Sequence, residues 1–142
     1  MSPDTGARLA APSRGPFARR RPIHGDFSAN QVLVSGSQVA VIDLDDARLD
    51  DPAADLGVFA AQLELRVLQG SLARERAEML LRALLAGYGV SASSPFELRS
   101  VRMHLARELL ARAPGTFRRG ESGWLGRLEH ILRRAEQLAE PG

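Results

Sequence analysis

The 142-residue chain contains no cysteine, which excludes disulfide staples, thiolate nucleophiles and cysteine-ligated zinc. It also contains no lysine: all nineteen basic residues are arginine. Arginine does not titrate in the accessible range. A sequence pI of about 10.3 therefore coexists with a formal net charge of only +2, and the pI says nothing about nucleic acid. Aromatic residues are scarce, at 5%. None interleaves with the basic run Arg19-Arg20-Arg21, as a platform for stacking single-stranded bases requires. That run reads as solvated charge, and nucleic acid is not expected as a partner. No apolar run reaches membrane-spanning length, so no membrane partner is expected. Met1 is not followed by the apolar stretch of a secretory signal, so the expected location is the cytoplasm.

What the chain does have is organised in blocks. With 44% hydrophobic residues, a chain of this length can bury roughly two-thirds of its unfolded surface as one domain. Residues 1–22 are rich in Pro, Gly, Ala and Arg without a period and are expected to form a disordered basic leader. Residues 23–142 are expected to fold, with loops and a hairpin over 23–55 and a helical part over 52–140.

The segment from His24 to Asp55 holds seven aspartates, Asp26, Asp43, Asp45, Asp46, Asp50, Asp51 and Asp55. They surround two short β-branched runs, Val32-Leu33-Val34 and Val39-Ala40-Val41-Ile42, which read as strands. The link Ser35-Gly36-Ser37-Gln38 places Gly36 at the first central position of a type II′ turn. Antiparallel pairing then returns Asp43 beside Gln31, with Asp26 just before the first strand. Hard oxygen donors converging in this way suit Mg²⁺, which takes waters and substrate phosphates for its remaining positions. The plainer alternative is a solvated acidic loop.

The order His-x-Asp, polar amide, strand, turn, strand, Asp resembles the catalytic and metal loops of the protein-kinase-like fold. The wording HGDFSANQVLV followed by VIDLDDARLDDPAADLG is most similar to the aminoglycoside phosphotransferase and choline kinase family. The resemblance covers residues 22–70. It implies ATP as phosphoryl donor, Mg²⁺ as cofactor and a small-molecule hydroxyl as acceptor, of the aminoglycoside, choline or sugar type. Asp26 matches the aspartate that orients the acceptor hydroxyl and takes its proton. Asp43 matches the metal-binding aspartate. His24 matches a structural histidine of the loop, and Asp55 the aspartate that braces the loop by accepting backbone N–H bonds. The family's asparagine falls on Gln31 when the strand is aligned without a gap. Asn30 replaces it only if the loop is one residue shorter, which would invert the strand faces. Asp45 is spaced to reach a second ion. Asp51-Pro52 reads as a helix N-cap with proline at N1.

Four helical patterns follow. The first runs from Pro52 to Gly70, with Leu56, Phe59, Ala60, Leu63 and Val67 on its apolar face. The second runs from Ser71 to Gly87, with Leu72, Met79, Leu80, Ala83 and Leu84. The third opens with a capping box, Ser94 to Glu97, carries Leu98, Val101, Leu105 and Leu109, and is expected to end at Pro114-Gly115. The fourth carries Trp124, Leu128, Ile131, Leu132, Ala135 and Leu138. Met79 and Met103 read as gap fillers, and His104 and His130 as ordinary helix residues.

The expected fold class is thus α+β: mainly α with a small β-hairpin, resembling the C-terminal lobe of the kinase-like fold. About twenty residues before His24 cannot form a five-stranded N-terminal sheet, and without lysine the family's phosphate grip has no equivalent here. The chain is therefore expected to be a fragment inactive alone, its N-terminal lobe missing or supplied by a separate chain. A non-catalytic relic serving as an interaction or metal-binding module, and an unrelated helical adaptor, are the alternatives.

Overall fold

The computed structural model describes residues 20–90, 95–118, 120 and 122–140. Three-residue strand β1, Arg21–Ile23, pairs antiparallel with β4, Arg48–Asp50. Arg21 and Pro22, inside the span assigned to a leader, are in a strand, opposite Asp50 and Leu49. Residues 1–19 and Ser94, the expected cap of the third helix, lie outside the described residues.

A short 3₁₀ turn, Ala29–Gln31, leads into the hairpin of β2, Val32–Ser35, and β3, Gln38–Val41. Ser35 faces Gln38 across a two-residue loop, and Gly36 has φ +59°, as the first central residue of a II′ turn requires. The register pairs Val32 with Val41, and the Ile42 N–H donates to the Gln31 carbonyl at 3.0 Å. The residue opposite Gln31 is therefore Ile42. Asp43 lies one residue further along, a correction to the pairing read from the sequence.

Helices make up most of the structure: α1, Ala53–Leu68; α2, Arg74–Gly87; α3, Pro95–Arg112; α4, Pro114–Arg118; and α5, Trp124–Ala139. Asp51 caps α1 in substance. Its Oδ1 accepts the Ala53 N–H at 2.9 Å, and Pro52 in αR geometry leads the chain into the helix. The Asp51 Oδ2 also accepts the Ser100 hydroxyl at 2.9 Å and lies 3.1 Å from the His104 Nε2. His104, expected to be unremarkable, thus pins the start of α1 to α3. Pro114 opens a helix where it was expected only to end one, since its missing N–H has no helical partner at a first turn.

Helix α1 is the pillar of the fold, buried around nearly its whole circumference. Ala60 and Ala61 join Leu105 and Leu109 of α3 and Ile131, Ala135 and Leu138 of α5 in one cluster. Ala53 and Leu56 join Val90 and Val101 in a second, with Leu84 and Leu85 of α2 against it. Leu56 and Leu109 are fully enclosed, each worth about 1.5–3 kcal/mol of transfer free energy. At Gly57 a Cβ would run into the His104 side chain and come within 2.9 Å of the His104 and Leu105 backbone; only glycine lets α1 and α3 approach this closely.

The packed face of α2 differs from the expected one. Ala77, Leu81, Leu84 and Leu85 point inward, whereas Met79 is exposed. Met103 is exposed as well, so neither methionine fills a gap. A buried Glu64 on α1 accepts from Arg74 of α2 at 2.9 Å and from Arg134 of α5 at 3.0 Å, tying three helices together. Among the described residues no helix is long and apolar enough to cross a membrane.

Candidate active site

Three segments distant in sequence meet at the N-terminus of α1. The Asp55 carboxylate, in the first turn of that helix, accepts the His24 N–H at 2.7 Å through Oδ2 and the Gly25 N–H at 2.9 Å through Oδ1. Both oxygens are thereby committed to the backbone just before Asp26. A carboxylate in a helix's first turn also lies in the favourable field of the helix dipole. Gly25 has φ +94°, and a Cβ there would overlap the Asp46 carbonyl and the Arg48 guanidinium. The loop therefore lies flat against the 46–48 segment because this residue has no side chain.

The second tie is the His24 ring. Its Nε2 lies 2.9 Å from the Ile42 carbonyl, and as donor in that bond it links the loop to the residue before Asp43. The same Ile42 donates its N–H to Gln31. Ile42 is thus the joint at which the segments carrying Asp26, Gln31 and Asp43 come together. The loop is anchored on its other side by Phe27, whose ring stacks on Phe59 of α1 at 5.5 Å and lies 5.8 Å from the His24 ring.

The Asp26 side chain is 55% exposed, with Oδ1 3.7 Å from the Arg112 guanidinium; Arg112 lies equally far from Glu108. At that separation these are ion pairs without direct hydrogen bonds, and half-exposed pairs are worth about 0–1 kcal/mol. Asp26 is open to solvent. Asp43 has φ 64°, the one non-glycine residue in the left-handed region among the described residues. Aspartate tolerates that region better than most side chains, at some cost, and such conformations gather where function demands a particular aim. Asp43, Asp45 and Asp46 are all exposed.

Both candidate amides already have partners. The Gln31 Oε1 accepts the hydroxyl of the buried Ser28, and the Asn30 Oδ1 accepts from Arg66 at 3.3 Å. An amide oxygen carries two lone pairs, so Gln31 retains one for a cation. Among the described residues no three His, Asp or Glu side chains gather into a metal cluster. A Mg²⁺ that keeps waters and phosphate oxygens needs only one or two protein carboxylates. Ser28, Arg112 and the Ile42 carbonyl were not anticipated from the sequence, because each acts through a partner that no local motif announces.

Behind the loop lies a hollow of about 380 Å³ lined by Ile23, His24, Phe27, Val41, Leu44, Asp55, Leu56 and Tyr88, among others. Its walls are mainly apolar and its size is that of a small-molecule pocket. Burial, helped by the Asp55 charge, pushes the Tyr88 phenol above its ordinary 10.0, so it stays neutral in the usual pH range.

A model of the phosphotransferase enzyme family matches residues 6–104, a span that includes His24, Asp26, Gln31, Asp43 and Asp55. No curated protein and no solved structure matches the chain. With well over half its length matched, and with the residues that carried the resemblance inside the match, the chain belongs to the phosphotransferase enzyme family.

Proposed function

We propose that this chain carries the acidic half of a phosphotransferase site that moves the γ-phosphate of ATP onto a hydroxyl of a small molecule. Asp26 stands beside the acceptor hydroxyl, orients it and receives its proton as the new oxygen–phosphorus bond forms and the bond to the ADP oxygen breaks. Asp43 and Gln31 hold Mg²⁺, which when bound neutralises phosphate charge. Asp55 and the His24 ring position the loop and do not touch substrate.

The observation that carries this reading is the joint at Ile42. Its N–H goes to Gln31 and its carbonyl to His24, so residues separated in sequence are held in one frame before any ligand arrives. Transfer of a phosphoryl group depends almost wholly on such positioning and on charge stabilisation. The sequence contains no lysine, so a lysine grip on the nucleotide phosphates would come from outside these residues, for example from a separate N-terminal lobe chain. The 142-residue chain alone is therefore expected to bind Mg²⁺–ATP weakly and turn over very slowly.

The test is a titration of the isotope-labelled chain with Mg²⁺, with and without ATP, followed by amide chemical shifts, alongside Asp43→Ala. Shifts concentrated at residues 25–31 and 42–46, and lost in the variant, are expected. Wild-type spectra indifferent to both additions would remove the nucleotide site and leave a non-catalytic interaction module.

A further inference from the structure

Helices α3 and α5 share the core through Leu105, Leu109, Ile131 and Leu138, yet a groove between them stays open on the outer side. They run antiparallel: Arg102 of α3 donates to the carbonyls of Gln137 and Glu140 at the far end of α5. The groove, of about 520 Å³, is lined by Met103, Ala106, Arg107 and Leu110 from α3 and by Leu132, Ala135, Glu136 and Ala139 from α5. Each set follows the i, i+3, i+4, i+7 spacing of one helix stripe. Met103, Leu110 and Leu132 are about half exposed, while alanines floor the groove. Apolar surface gathered on one face in this way marks a docking site more often than isolated exposed residues do.

The charges say what fits. One wall of the groove carries Arg107 and the other Glu136, both exposed. Among the described residues neither makes an ion pair. They stand near the middle of the antiparallel pair, between the apolar ends. A two-fold axis running along the groove would place α3 of one copy over α5 of the other. Arg107 then meets the partner's Glu136, and Glu136 the partner's Arg107. A face with one charge of each sign on opposite walls is complementary to itself, as an isologous interface requires. A partner helix of a single charge sign would leave one wall opposed.

We infer that two copies of the chain pair through this groove, stacking two helix pairs into a four-helix bundle, with Leu110 and Leu132 as apolar anchors and Arg107–Glu136 as paired rim contacts. The interface lies on a different face from the Asp26 loop and does not depend on the proposed reaction.

The experiment is sedimentation equilibrium of the full chain, with circular dichroism to verify that helix content is unchanged. The wild type should dimerise. Leu132→Glu, which would bury a carboxylate in the interface, should weaken dimerisation by at least about tenfold. Arg107→Glu and Glu136→Arg should each weaken self-association by opposing like charges, and a mixture of the two should form a heterodimer, because every rim contact is then again between opposite charges. A wild type that stays monomeric at high concentration would overturn the inference. So would a dimer indifferent to Leu132→Glu, which would place the contact elsewhere, for instance on the exposed β2–β3 hairpin. A mixture no more associated than its components would overturn the two-fold arrangement.

Discussion

Replacing Asp55 by alanine removes the acceptor of two backbone N–H groups at once. One belongs to His24, which is 6% exposed, the other to the partly buried Gly25, at 2.7 and 2.9 Å from the carboxylate. Alanine leaves both donors facing a space that nothing fills. A buried donor left without a partner costs about 1–3 kcal/mol, and the lost carboxylate in the first turn of α1 adds about 0.3–1 kcal/mol. The expected loss is thus about 2–7 kcal/mol, a large part of the about 5–15 kcal/mol that holds a domain of this kind together. Asp55→Asn retains one oxygen and should lose about half as much. The exposed Asp45→Ala serves as control, at about ±0.5 kcal/mol. Urea unfolding followed by circular dichroism gives the free energies, and amide shifts of His24 and Gly25 identify the bonds concerned. If Asp55→Ala unfolds at the same urea concentration as the control, the carboxylate does not hold the loop and the account of the site fails at its base.

Gly57→Ala should destabilise by about 1–3 kcal/mol through overpacking, since the new methyl meets His104 and the α3 backbone, against a helix-propensity gain of about 1 kcal/mol; thermal unfolding should show a net lower midpoint. Glu64→Ala should cost about 1–3 kcal/mol in urea unfolding, less than the 3–5 typical of a broken buried pair, because Arg74 and Arg134, 40% and 36% exposed, can turn to water. Tyr88, the single tyrosine, should ionise above 10.0 in an ultraviolet absorbance titration. Its folded-state pKa is raised, so its contribution to stability is complete below 10.0 and is lost as pH rises through the folded value. Asp55→Asn should bring that titration down by part of the shift, burial being the larger cause.

The parts of the structure legible in sequence are those whose physics is local. Helices α1, α3 and α5 announce themselves by period, and the hairpin by β-branched runs around a glycine turn. In α2 apolar residues occupy almost every direction from Ala77 to Ala86, so the period could not select Ala77, Leu81 and Leu85 over Met79 and Ala83. The β1–β4 pair escaped because three-residue strands carrying Arg21, Arg48 and Asp50 have no alternation to read. His24, Asp26, Gln31, Asp43 and Asp55 were found as a motif, whereas their partners were not. Asp26–Arg112, Asp51–His104 and Glu64–Arg134 join residues whose proximity is set by helix packing. Each partner looks like an ordinary solvated helix residue until the chain folds.

The backbone just before Asp26 is tied to the first turn of α1 through two bonds to one carboxylate, so the order of the loop is coupled to that turn. Fraying of that one turn would release His24 and Gly25 together and, through the His24 ring, slacken the grip on the end of β3, while the α1–α3–α5 core remained assembled. Competence and foldedness would then part company on warming: a helical, compact molecule with a slack loop, in which amide exchange at His24 and Gly25 outruns exchange in the middle of α1.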